Sequence, residues 1–338
     1  MIESENLDVS LKLKNTSKEK VLTKENVIRY LKFFLIPGWR DSEFTSREYE
    51  IEKTKSKRRL FRRLISPLTL IGFGLILFIT FLAVYAPYMT RFTLDIITDG
   101  GVSGEIPWLP PTEEHLFGTT KFGYDLLGRI IWGCRTAITF GFIAIIIASL
   151  GGIAVGTIAG YYGGKIDSIL MRTVDFVIIF PSVVIVILLT QLSEQPGLLT
   201  ILVIYGLFSI PSYSRLMRSS VLEVKQALYI QAAKTGGANN FKIMFKHIFK
   251  NAISPLIIQF FGGVGIAILV FSGIAFLGFG DETVPDWGTD INYARARLSA
   301  IHAAIWPGIF ILISVLGFML VGDGLRDALD PRLQKKKR

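Results

Sequence analysis

Cysteine is nearly absent from this chain of 338 residues: Cys134 stands alone, and the three histidines, His115, His247 and His302, lie far apart in sequence. One cysteine excludes a disulfide framework within the chain and a multi-cysteine metal site. There is no HExxH, no GxSxG nucleophile elbow and no haem or iron–sulfur cysteine pattern. A phosphate-binding GxxxxGK[ST] loop is missing too. The nearest text, GYYGGKID at 160–167, lacks the spacing, the final Ser or Thr and a preceding strand. ATP binding through a P-loop on this chain is therefore excluded. The apolar runs also hold few carboxylates. Asp175 has no second buried acid to hand a proton to, which argues against proton-coupled transport.

What the chain has in abundance is hydrocarbon-compatible sequence. It is 51% hydrophobic with a mean hydropathy of +0.48, and its apolar residues are clustered. A helix needs about 20 apolar residues to cross a bilayer. Six runs meet that demand, predicting spans at 68–88, 136–160, 173–192, 197–217, 253–276 and 300–321. The fold class expected is an all-α polytopic membrane protein. The first run begins at Pro67, too late for a cleavable signal peptide.

The net charge of +10 fits an anionic inner leaflet better than nucleic acid in so apolar a chain. With six spans, 31 of the 37 lysines and arginines fall on one side and 6 on the other, while the sparsely basic side carries 11 acidic residues. Both termini are predicted cytoplasmic. The domain plan is then a basic cytoplasmic extension at 1–66, a six-helix domain at 67–322 and a basic tail at 323–338. External loops are expected at 89–135 and 277–299, and a large cytoplasmic loop at 218–252. The charged run KTKSKRRLFRR at 53–63 reads as a topology anchor against membrane lipid. The apolar stretch 27–36, with Arg29 and Lys32, reads as an interfacial helix.

Several residues stand out within this plan. Gly152, Gly156 and Gly160 recur every four residues on one face of the second span, the spacing that lets helix backbones approach closely in lipid. Pro181, Pro211 and Pro307 are expected to bend their spans. Arg172 and Asp175, three apart, are expected to pair at the interface. Asp281, Glu282, Asp286, Trp287 and Asp290 form an acidic external loop, read either as solvated or as a contact for another protein.

The segment QAAKTGGANNFKIMFKH at 231–247 is polar, basic and glycine-bearing between two spans. A helical stretch at 223–234, the pair Gly236 and Gly237, and a second helix at 240–250 capped by Asn239 or Asn240 predict a helix–turn–helix along the membrane face. Ala232 and Ala233 give the first helix a small surface suited to a partner's groove. Bulk at Gly237 is expected to misplace that helix.

YIQAAKTGG followed by KIMFKHIFKNAISPL resembles the EAA loop of ABC importer permeases. Gln231, Ala232, Ala233, Gly237, His247, Ile248 and Asn251 take the family's places, with Gln231 where Glu is usual and Phe249–Lys250 where Leu-Pro is usual. HLFGTTKFGYDLLGRIIWGCRTAI, AGYYGGKIDSILMRTVD, FLGFG, PDWG, WPG and GDGLRDALDPR resemble, in the same order, the C-type transmembrane subunit of dipeptide, oligopeptide and nickel permeases. Thr120 and Tyr124 replace the usual Asp and Arg. The resemblance covers about residues 66–334.

The resemblance implies a type I importer permease fold in a bacterial inner membrane, alternating access, and no covalent chemistry on this chain. It implies a homologous second permease, two ATPase subunits holding ATP and Mg, and an extracytoplasmic binding protein delivering peptide. Gln231, Ala232, Ala233, Gly236, Gly237, Ala238, His247 and Asn251 would form the ATPase-coupling loop. A nickel or metal-chelate importer shares these motifs, and an ATP-independent secondary carrier is the remaining alternative.

Overall fold

The computed structural model describes residues 66–90, 94, 106–193, 197–281 and 284–329. The extension at 1–65, with its charged run and the stretch 27–36, lies outside the described residues, as do Glu282 and residues 330–338. The described residues are helical apart from the stretch 106–125, which holds one isolated bridge, Thr119 with Asp125, and the shorter connections.

Helix α1, Pro67–Met89, starts at a Ser66 cap whose hydroxyl accepts from the Thr69 amide; Pro67 fits the first turn because that turn has no use for its missing N–H. Helix α2, Leu126–Tyr162, is 37 residues long, about 55 Å at 1.5 Å per residue. It starts ten residues before the expected span. Asp125 sets that start: its carboxylate accepts from the Gly128 amide at 2.7 Å and meets His115 Nδ1 at 3.0 Å. The residues added, with Arg129, Trp132 and Arg135 among them, are too polar to read as hydrocarbon-spanning.

The third expected span is not one helix. It is α3, Gly164–Ile178, and α4, Ser182–Leu192, bent by 79°. Pro181 sits at the break in extended conformation. It offers no amide to continue the ladder and disfavours helix at Phe180. Pro211 and Pro307, by contrast, lie inside continuous helices: α5, Leu198–Lys225, and the last helix, His302–Leu329. Among the described residues, six elements are long and apolar enough to span a membrane with the bent pair counted as one crossing; without it, five.

After α5 come α6, Leu228–Thr235, and a helical stretch at 240–252, α7, whose middle is a π-helical turn, Ile243–Ile248. Helix α8, Ser254–Ile274, continues through the π turn Ala275–Phe279. A short helix α9, Trp287–Ala294, precedes α10, His302–Leu329, which runs eight residues beyond the expected end at 321.

The chain crosses so that α6 and α7 lie at one end of the bundle, rich in lysine and arginine, while residues 106–125 and α9 lie at the other. Two apolar clusters hold it together. The larger joins α1, α2, α5, α8, α9 and α10 through Phe140, Phe271, Trp287, Phe310 and Phe318. The smaller sits at the basic end and contains Tyr161, Met217, Val221, Ile230, Ile243, Met244, Ile248, Ala252 and Leu256. Outward-facing leucine, isoleucine and phenylalanine cover much of the rest, including Leu68, Leu77, Phe81, Leu150, Ile169 and Leu312. Such a surface suits lipid or another apolar chain rather than water.

Gly152, Gly156 and Gly160 all face α5. A methyl group at Gly156 would come within 2.5 Å of the Ser214 carbonyl oxygen and 2.7 Å of Met217 Cβ, and one at Gly160 within 2.8 Å of Val221 Cγ1. At the same positions α2 and α5 therefore touch backbone to backbone.

Candidate coupling site at the basic end

The polar segment begins where α5 stops. Gln226 closes that helix and Ala227 is extended (φ −66, ψ 140) before α6 starts. This break divides the single stretch expected at 223–234. Helix α6 then ends in a glycine turn. The Ala238 amide donates to Ala233 O at 3.1 Å and the Gly237 amide to Lys234 O at 3.0 Å, with Gly237 at φ +76. This pairing is a Schellman cap, which needs a left-handed residue at that point. Space beyond the Gly237 Cα is open. The position demands glycine for its dihedral and not for room, which corrects the expectation that bulk is the difficulty there. Of the two cap candidates, Asn239 serves: its side chain accepts from the Lys242 amide at 3.1 Å.

One face of α6 and α7 packs inward. Ile230 is fully buried, and Ile243, Met244 and Ile248 join it. The other face is open. Gln231, Ala232, Gly236 and Gly237 are exposed, Ala233 and Ala238 half-buried. On the same two helices stand exposed apolar side chains that the sequence did not single out: Leu228 is 81% exposed and Phe241 66%, with Tyr229 and Phe245 nearly half exposed. The Phe241 and Phe245 rings stack loosely at 4.5 Å. Their i, i+4 spacing was the available signal. Lys234, Lys242, Lys246 and Lys250 are exposed on the same two helices. His247 is half-buried, and its carbonyl accepts from Asn251 Nδ2 at 2.7 Å, which ties the two residues within one turn of α7. Exposed apolar side chains among basic ones are the make-up of a protein-docking surface.

Ion pairs brace this end. Arg218 clamps Asp167 in a fork of 2.5 and 2.6 Å between α5 and α3. Asp175 pairs with Arg215 at 2.6 Å, not with Arg172 as its spacing suggested. A partner three residues away on one helix loses to an arginine presented by a crossing helix.

At the opposite end, the acidic loop, read either as solvated or as a contact for another protein, is largely interior. Asp286, Trp287 and Asp290 are buried, 2% exposed each. Arg129 Nε donates to Asp290 at 2.7 Å, both side chains buried, and Trp287 Nε1 donates to Ile130 O at 3.1 Å. Asn292 Nδ2 donates to Phe276 O. These bonds hold α9 against α2 and α8. Asp286 caps α9, accepting from the Thr289 amide at 2.9 Å and its hydroxyl at 2.5 Å. Burial pushes the Asp286 carboxyl up to about 6, against the pull of the Thr289 bonds. Asp290 is also raised by burial, opposed by Arg129. Asp281 acts elsewhere: its carboxylate accepts from the Leu198 amide at 2.8 Å, at the start of α5.

Residues 152–335 match the model of the binding-protein-dependent transport system inner membrane component family. The chain is 35% identical over 280 residues to the dipeptide transport system permease protein of Alkalihalophilus pseudofirmus, covering 82% of this chain and 90% of that one. It is 33% identical over 280 residues to the glutathione transport system permease protein of Pectobacterium atrosepticum, covering 82% and 91%. To the dipeptide transport system permease protein of Haemophilus influenzae it is 35% identical over 275 residues, covering 79% and 91%. The chain belongs to the family of binding-protein-dependent transport system inner membrane components, a multi-span permease family of the inner membrane.

Proposed function

We propose that this chain is one of two permease subunits of an ATP-driven importer that carries short peptides across the inner membrane, with both termini in the cytoplasm. The observation that carries the reading is the open face of α6 and α7. Leu228 and Tyr229 lie one turn before Ala232 on α6, and Phe241 and Phe245 are exposed on α7, all at the basic end, where the excess of lysine and arginine belongs on the cytoplasmic side. That face is the natural seat for an ATPase subunit, one beneath each permease. The second permease completes the pore, and a binding protein delivers substrate at the end carrying α9. ATP and Mg reside on the ATPases, and this chain moves rather than makes chemistry. The names of the relatives, two dipeptide systems and a glutathione system, support a di- or tripeptide as cargo.

In such a machine the work of α6 is mechanical. Closure of the ATPases on ATP displaces the docked helix, and the bundle turns between two arrangements whose populations ATP shifts. The test is uptake by proteoliposomes holding the complex purified through this chain, with ATP and its binding protein. Radiolabelled dialanine and glutathione are expected to accumulate only with hydrolysable ATP. Uptake of nickel alone, or of peptide without ATP, would overturn the assignment.

A further inference from the structure

Helix α6 lies between two weak points of the backbone. One is the extended residue Ala227; the other is the turn at Gly236 and Gly237. A helix hinged at both ends can be displaced without moving the bundle, so coupling requires both hinges to be braced. One residue meets both sides. Tyr161, 6% exposed and one residue from the end of α2, donates its hydroxyl to Asn240 Oδ1 at 2.7 Å, just after the glycine turn. The Lys225 ammonium, the last residue of α5 before the first hinge, donates to Tyr161 O at 2.5 Å and more weakly to Gly160 O at 3.4 Å. Those carbonyls are among the last-turn acceptors that α2 itself cannot satisfy, and a cation there also meets the negative end of the helix dipole. Lys225 and Lys234 both stand within 6 Å of the Tyr161 ring centre, at 5.8 and 5.9 Å, and Lys234 belongs to α6 itself. Ile230 of α6 packs in the same apolar cluster.

We infer that Tyr161 is the positioning residue that makes the docking helix and α2 move together. It ties the last residue of α5, a residue within α6 and the residue that opens α7 to a single point on α2. Helix α2 is continuous from that point to Arg129, which holds Asp290 of α9 at the far end. Displacement at α6 thus reaches α9 through one helix, braced along its length by the close α2–α5 contact at Gly152, Gly156 and Gly160. The inference rests on the importer reading above.

The test compares wild type, Tyr161→Phe, Asn240→Ala and the double variant as full complexes in proteoliposomes. Dialanine moved per ATP hydrolysed is the readout. Loss of folded protein lowers transport and hydrolysis together and leaves that ratio unchanged, whereas loss of the joint lowers the ratio. Tyr161→Phe removes one hydroxyl and is expected to leave complex recovery unchanged. It should cut the ratio about 3- to 10-fold, the factor that one neutral hydrogen bond sets. Asn240→Ala should do the same, and the double variant no more, because both remove one bond. Asn240→Ala serves alone should Tyr161→Phe fail to accumulate. A wild-type ratio in these variants would overturn the inference and leave the importer reading standing. A wild-type complex that hydrolyses no ATP in response to peptide would overturn that reading, and the inference with it.

Discussion

Replacing Arg129 by methionine removes one member of an ion pair buried on both sides, 4% and 1% exposed. Methionine fills similar length without charge. Asp290 is then left as a carboxylate in an apolar pocket beside Asp286, with Arg129 no longer opposing its desolvation. Breaking a buried pair this way costs about 3–5 kcal/mol, whereas removing both charges is close to neutral. The single variant should therefore lower the melting temperature of the solubilised chain by roughly 6–20 °C at the 2–4 °C per kcal/mol typical of larger domains. Arg129→Met with Asp290→Leu should recover most of the loss. The assay is thermal unfolding followed by tryptophan fluorescence, apt because Trp287 sits in this cluster. A single variant as stable as wild type, or a double variant no better than the single, would refute the reasoning that the pair secures α9.

Two further substitutions probe separate features. Gly237 occupies a left-handed dihedral in open space, so Gly237→Ala should cost about 1 kcal/mol in the turn and Gly237→Asn less, while Gly237→Val should impair uptake more than its size explains; equal uptake by all three would remove the dihedral argument. The raised carboxyl of Asp286 makes the folded state bind a proton more readily than the unfolded chain does. Stability should therefore fall as pH rises from about 4 to about 6, by about 3 kcal/mol for a shift of some two units, and be level above that. Asp286→Asn, which keeps an acceptor for Thr289, should flatten this slope in unfolding measured from pH 4 to 8; an unchanged slope would place the titration elsewhere.

The sequence made the membrane helices legible because hydrocarbon demands long apolar runs, and no soluble fold needs six. It located the polar segment and its glycine turn for the same reason that it missed the rest: turn chemistry is local, whereas contacts are not. Arg129 drew no reading from the sequence, since its partner Asp290 stands 161 positions away. The acidic loop read as surface, solvated or in contact with another protein, because burial of Asp286 and Trp287 depends on α2 and α8. The stop of α5 at Gln226 carries no glycine or proline, so the exposure of Leu228 and Tyr229 had no local signal. The bend at Pro181 had one, but the same residue type at Pro211 and Pro307 left helices intact. In those two cases the helix tolerates the missing bond because neighbouring helices pack around it.

The central claim is that the open face of α6 seats a motor supplied by another chain. The direct measurement is recovery of the tagged, detergent-solubilised chain from its native membrane, with its companions identified by mass spectrometry, for wild type and Ala232→Trp. The account predicts that wild type brings down a second multi-span permease together with P-loop ATPases, and that Ala232→Trp keeps the permease and loses the ATPases. Recovery of the chain alone under conditions that preserve known complexes, or ATPases retained in full by the variant, would contradict it.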